Sequence, residues 1–141
     1  MIYNFGFTVL FFLSFLSISI RSQEEIPPEK QNRLALVIGN SEYTAGALKN
    51  PVNDARLMKN TLTKVGFKQE NILYYENLRD QDTIYKAIKD FSNRLDSTDI
   101  CFIYYAGHGI QAHGTNYLIP TDVNLSDEKD VEHYCYSFNR I

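Results

Sequence analysis

Ile100-Cys-Phe-Ile-Tyr-Tyr-Ala-Gly-His-Gly109 is the stretch that decides how this chain is read. Asp99 leads into a run of β-branched, apolar and aromatic residues that predicts a buried strand, Ile100–Ala106. The strand runs out into a histidine set between two glycines, so an imidazole is delivered to a strand end. Near neutral pH an imidazole can both take and return a proton. Flanking glycines let a backbone approach a reacting carbonyl, and the Gly109 amide could donate a hydrogen bond to an oxyanion. Read plainly, His108 is instead a partly exposed turn residue.

Working outward, Leu34–Ile38 is a short, unbroken apolar run ending at Gly39, the pattern of a strand covered on both faces in a parallel sheet. A loop over Asn40–Lys49 follows. Asn50 is placed to cap a helix with Pro51 at its first position, and Ala55, Met58, Leu62 and Val65 recur at helical spacing before Gly66 closes the helix as a left-handed cap. Ile72–Tyr75 reads as a second strand. Asp80 or Asp82 opens a second helix carrying Ile84, Ile88, Phe91 and Leu95 on one face. Strand, helix, strand, helix, strand with short connections predicts a doubly wound α/β sheet. Beyond His108, Ile110–Ala112 and Asn116–Ile119 flank His113-Gly114 as a hairpin closed by Pro120. Asp122–Asp130 is polar, and Val131–Ile141 is too short to classify.

Ligands of open α/β sheets bind outside the carboxyl ends of the strands. His108, the loop Gly39–Lys49 and the helix turn bearing Asp54 therefore fall along one rim. Asp54 has two readings: a carboxylate that attracts a cation, or an acid in the first helical turn that complements the helix dipole.

A chain of 141 residues, 44% apolar and 13% aromatic, suits one globular domain with a real core. The formal charge of −3, with no Lys/Arg cluster longer than a pair, argues against a nucleic-acid partner. Phe5–Ile20 is almost wholly apolar, yet about 16 residues fall short of the roughly 20 that cross a bilayer. Residues 1–22 are read as a secretory signal peptide, with Ser17-Ile18-Ser19 or Ile20-Arg21-Ser22 as an imperfect cleavage site and an uncleaved signal anchor as the alternative. The expected location is secreted or extracytoplasmic, with no membrane association once the signal is removed. Residues 23–32 form a polar linker and 33–141 the folded domain. Cys101 and Cys135 are too few for a disulfide scaffold and are read as free thiols.

Other chemistries lack their motifs. There is no G-x-G-x-x-G and no phosphate loop after Gly39, and Ser41 and Ser137 sit in no G-x-S-x-G elbow. His108, His113 and His133 lack metal-ligand spacing with the cysteines, so no metal and no cofactor is expected. Tyr74-Tyr75 and Tyr104-Tyr105 alternate across a strand and suit core packing better than base stacking. His133 with Cys135 is a possible dyad without glycines or an orienting acid.

Taken in order, Arg33-Leu-Ala-Leu-Val-Ile-Gly-Asn40, Leu48-Lys-Asn-Pro-Val-Asn-Asp-Ala55, Tyr104-Tyr-Ala-Gly-His-Gly109 and Asn116-Tyr-Leu-Ile-Pro120 resemble the large-subunit, p20-like half of the caspase superfamily, closest to its paracaspase and metacaspase-like branch. The resemblance covers roughly residues 33–141. It implies a three-layer caspase-like α/β fold with a mostly parallel sheet and a cysteine endopeptidase acting on peptide or protein substrates. His108 falls on the histidine that works with the cysteine, Gly109 on the oxyanion-hole amide, and Asp54 on the acid that helps build an S1 pocket for a basic P1 residue. Caspases that cut after aspartate carry an arginine where this chain has Leu48, so cleavage after Arg or Lys is expected.

In that family the nucleophile lies about 50 residues beyond the histidine, past Ile141. Neither Cys101 nor Cys135 matches it. The resemblance therefore implies a domain truncated before the strand that carries the nucleophile, inert toward peptides as it stands. A secreted, catalytically inactive interaction module of the same fold is the first rival, and a flavodoxin-like ligand-binding domain the second. Oligomeric state is left open.

Overall fold

Arg33–Gly39 forms the central strand, β1, and every residue from Leu34 to Gly39 is buried. In this computed structural model, which describes Pro27 and residues 30–140, β2 (Ile72–Glu76) and β3 (Ile100–Ala106) pair with β1 in parallel, in the order β2-β1-β3. The apolar run Phe5–Ile20 and the signal-peptide reading lie outside the described residues. No helix among the described residues is long and apolar enough to cross a membrane.

Alternation along β1 divides the core in two. Ala35 and Val37 face α1 (Pro51–Lys64) and pack with Ala55, Leu62, Phe67 and Ile72. Leu34, Leu36 and Ile38 face the other way, against Ile84, Ala87, Ile88 and Phe91 of α2 (Gln81–Ser92). One helix on each face of a parallel sheet makes the three-layer α/β sandwich that the sequence resemblance implies. The tyrosine pairs split as strand alternation demands, Tyr74 and Tyr104 toward α1, Tyr75 and Tyr105 toward α2.

Helix ends follow local chemistry with two departures. Asp80 caps α2 through a capping box, its carboxylate accepting from the Thr83 amide at 2.8 Å. Asn50 precedes α1, but its backbone is already helical there (φ −108°, ψ −25°) and its side chain makes no capping bond. Pro51 starts that helix without one. Gly66 ends it at φ +96° as expected, yet Val65 is 55% exposed because α1 stops at Lys64 and the chain turns away. Leu95 likewise leaves the core, in a 3-10 turn after α2.

The largest correction concerns β3. It is an edge strand, with no partner on its outer side among the described residues, and Ile100, Cys101 and Ile103 are exposed rather than buried.

After His108 the chain forms the expected hairpin, β4 (Gly109–Ala112) against β5 (Thr115–Leu118), with His113 (φ 48°) and Gly114 (φ 76°) as its left-handed turn. The segment left unclassified in sequence completes this small sheet. Asp127 caps α3 (Glu128–Tyr134) in a capping box with Asp130, and β6 (Tyr136–Ser137) pairs antiparallel with β5. Val131 and Cys135 then cover Ala112 and Tyr117, while Leu118 and Tyr136 reach the core beneath α2.

Candidate active site

The carboxyl ends of β1 and β3 are in register, Gly39 beside Ala106. The loops that leave these two residues meet at one rim, Gly46 against His108. Asn40, fully buried, ties that rim together: its Oδ1 accepts from the Leu78 amide at 3.0 Å, its Nδ2 points to the Ile119 carbonyl at 3.5 Å, and its own amide donates to Ala106 at 2.8 Å. Asn77, in the left-handed region at φ 51°, accepts from the amides of Ser41 and Glu42. The loop that leaves β1 is thereby held at its root.

His108 sits between β3 and β4, partly exposed. Its Nε2 lies 2.7 Å from the carbonyl oxygen of Gly46, in that same loop. A carbonyl only accepts, so in the neutral ring Nε2 carries the proton and Nδ1 keeps its lone pair. Gly46 reaches this position at φ +77°, a conformation suited to glycine. The imidazole also leans on the Tyr43 ring, centroids 4.4 Å apart and planes at 58°.

Gly109 opens β4 opposite Leu118. The Ile119 amide donates to the His108 carbonyl at 3.1 Å, and because antiparallel pairs alternate, Gly109 and Leu118 form a non-hydrogen-bonded pair. The Gly109 N–H therefore faces away from β5, available to a ligand. A Cβ at Gly109 would meet only the Tyr117 carbonyl, at 3.4 Å. Gly107 differs: its Cβ would strike the Tyr43 hydroxyl and lie 2.7 Å from that of Tyr105. The first glycine of the Gly-His-Gly run makes room for two tyrosine hydroxyls rather than for a substrate.

Asp54 occupies the first turn of α1, which rests on the end of β1. The Ser41 hydroxyl accepts from the Val52 amide at 3.0 Å, and a Cβ at Gly39 would meet the backbone at Pro51 and Val52. The Asp54 carboxylate is exposed and makes no hydrogen bond or ion pair among the described residues, with His108 or any other group. It shares the rim and the helix start, so both readings of its charge fit its place.

Both cysteines are free thiols. Cys101 lies near the opposite end of β3, roughly 20 Å from His108 at about 3.3 Å per strand residue. Cys135 is fully buried beside α3, and burial pushes its thiol up to about 11. His133 sets its ring edge-on to Tyr134, 4.6 Å between centroids, and forms no dyad with Cys135.

Sequence reasoning missed Asn40, Tyr43 and the Tyr105 hydroxyl as parts of the site. Tyr43 meets the His108 amide across 65 residues of chain, a separation at which periodicity carries no signal.

The caspase domain family profile matches residues 32–133. The chain is 30% identical over 103 residues to human mucosa-associated lymphoid tissue lymphoma translocation protein 1, a span covering 72% of this chain and 12% of that protein. It is 32% identical over 117 residues to Metacaspase-6 of Arabidopsis thaliana, covering 68% of this chain and 31% of the relative. Metacaspase-4 of the same plant is similar at 30%. The chain thus spans less than a third of the length of these relatives.

Proposed function

The chain belongs to the caspase domain family of cysteine peptidases, and from that premise we propose that it is the histidine-bearing part of an endopeptidase that cuts after arginine or lysine. The observation that carries the reading is the Gly46 carbonyl on Nε2 of His108, which leaves Nδ1 as a base at the sheet rim. In this reading the nucleophilic cysteine comes from beyond residue 141, since Cys101 is remote and Cys135 is a buried, protonated thiol.

Nδ1 of His108 takes the thiol proton, and the thiolate attacks the scissile carbonyl carbon. The Gly109 amide donates to the oxygen as it gains charge. As the tetrahedral adduct collapses, the imidazolium returns the proton to the leaving amine, and water, deprotonated by the same ring, releases the acyl group. Asp54 pairs with the P1 guanidinium or ammonium. Its exposure in the free chain makes that pair strong only once a substrate has displaced water from it. Residues 1–22 act as an export signal in the same proposal, placing the domain outside the cytoplasm.

The test uses the longest chain the gene encodes and fluorogenic peptides with Arg, Lys or Asp at P1. Arg and Lys peptides are cut, His108→Ala abolishes cutting, and Asp54→Asn lowers kcat/KM for Arg peptides about 10- to 100-fold, the equivalent of one charge-assisted hydrogen bond of roughly 1.5–3 kcal/mol. Cutting after Asp, or Asp54→Asn without effect, overturns the specificity and leaves the helix dipole as the role of Asp54. A complete chain that cuts none of the peptides supports the inactive interaction module.

A further inference from the structure

The two main-chain groups of His108 end on two tyrosine hydroxyls. The His108 N–H donates to Tyr43 Oη at 2.7 Å. Tyr105 Oη lies 2.8 Å from the His108 carbonyl and 3.2 Å from that of Ile119. The two hydroxyls are 3.2 Å apart. Carbonyls only accept, so the single proton of Tyr105 points to them. Its oxygen must then accept from Tyr43, whose own oxygen takes the His108 amide. The directions are thus determined, and they close: His108 N–H to Tyr43, Tyr43 O–H to Tyr105, Tyr105 O–H back to the His108 carbonyl. Burial raises both phenols above their ordinary range, so each keeps the proton that the ring of bonds requires.

We infer that Tyr43 and Tyr105 are positioning residues that clamp His108 through its backbone, and that Gly107 is required because any side chain there would enter the clamp. The catalytic meaning of the clamp rests on the peptidase reading; its existence does not. Three residues of the loop after β1 converge on one purpose: Asn40 anchors the loop, Tyr43 holds the histidine backbone and ring face, and Gly46 takes Nε2. The loop therefore sets both the location of the imidazole and the nitrogen that stays unprotonated. Hydroxyls in a closed ring polarise one another, so opening it at any member weakens the rest.

The test is nuclear magnetic resonance on the full 141-residue chain labelled at histidine and at backbone nitrogen, and needs no proteolysis. In the wild type, two tyrosine hydroxyl protons exchange slowly and show contacts to the His108 amide, and the His108 ring is mainly the Nε2–H tautomer. Tyr43→Phe and Tyr105→Phe, which keep the rings, each speed exchange of the His108 amide at least about tenfold and lower the Nε2–H share, while the core amides of Val37 and Ile84 stay protected. The double variant exceeds the larger single effect by less than about twofold, because either change opens the same ring. Unchanged exchange and tautomer in Tyr43→Phe, or single effects that multiply in the double variant, overturn the clamp. Should a variant fail to fold, the wild-type spectrum decides, and absence of the slow hydroxyl protons overturns it. A clamp present in a complete chain without peptidase activity refutes the functional reading alone; peptidase activity without the clamp signature refutes the clamp alone.

Discussion

Replacing Gly39 by Ala adds one methyl group where three rigid atoms converge. The new Cβ would stand 2.7 Å from the Ala55 Cβ, 2.8 Å from the Pro51 carbonyl oxygen and 3.0 Å from the Val52 Cα. None belongs to a side chain that can rotate away. Ordinary contact begins near 3.4 Å, so against the 2.7 Å position α1 must retreat by about 0.7 Å as a body. That retreat strains the bond from the Val52 amide to Ser41 and loosens Ala55 from Ala35 and Val37. Overpacking a close-packed core costs roughly 1–3 kcal/mol, and rigid neighbours put this case near the top. The smaller entropy of the unfolded alanine chain offsets about 0.4–1 kcal/mol. The net loss is about 2 kcal/mol, which lowers a urea midpoint by roughly 1 M at the slopes usual for small proteins. Urea titration followed by circular dichroism measures it, with Gly109→Ala as the control. The control keeps a midpoint close to wild type, because its Cβ would find ordinary contact. Equal midpoints for Gly39→Ala and wild type, or an equal fall in both variants, would refute the argument that α1 is seated directly on the end of β1.

The two thiols separate by burial. Iodoacetamide at pH 8 labels Cys101 at an ordinary rate and Cys135 only on unfolding, and fast labelling of both would contradict the packing of α3. The thiol of Cys135, raised to about 11 in the folded chain from an unfolded value near 9, favours its protonated form. Its contribution to stability is therefore complete below about pH 9 and lost as pH rises through about 11, a fall that Cys135→Ala removes from the alkaline limb of the stability curve. The exposed side chains of β3 and its edge, unpartnered among the described residues, favour self-association. Ile103→Lys, at a position 37% exposed, lowers the share of oligomer in sedimentation velocity at a given concentration. No change would show that the edge is not where copies meet.

How much of this was legible from residues alone depended on the range of each signal. Strands β1, β2 and β3 declared themselves through short apolar runs and helices α1 and α2 through a period of 3.6 and through Gly66 and Asp80 at helix ends, because burial and capping act on neighbours in the chain. Helix α3 was missed although Asp127 and Asp130 carried a capping box, since seven residues hold too few turns for a period to emerge. Val65 and Leu95 fit their helical stripes and still left the core, because a stripe extends past the point where the partner surface ends.

The same division runs through the site. Sequence by itself determined that His108 stands at a strand end between glycines, that Asp54 opens a helix at the same rim, and that the ordered motifs are those of the caspase family. Only tertiary structure decided that β3 lies outermost in the order β2-β1-β3 among the described residues, that Cys135 is sealed away, and that Gly107 and Gly109 have different reasons to be glycine. It alone brought Tyr43, Gly46 and Tyr105 onto His108. Local patterns record the preferences of a residue and its near neighbours. Hydrogen bonds that close across 62 and 65 residues of chain arise from where β1 and β3 end side by side, and register between strands is a property of the packed sheet.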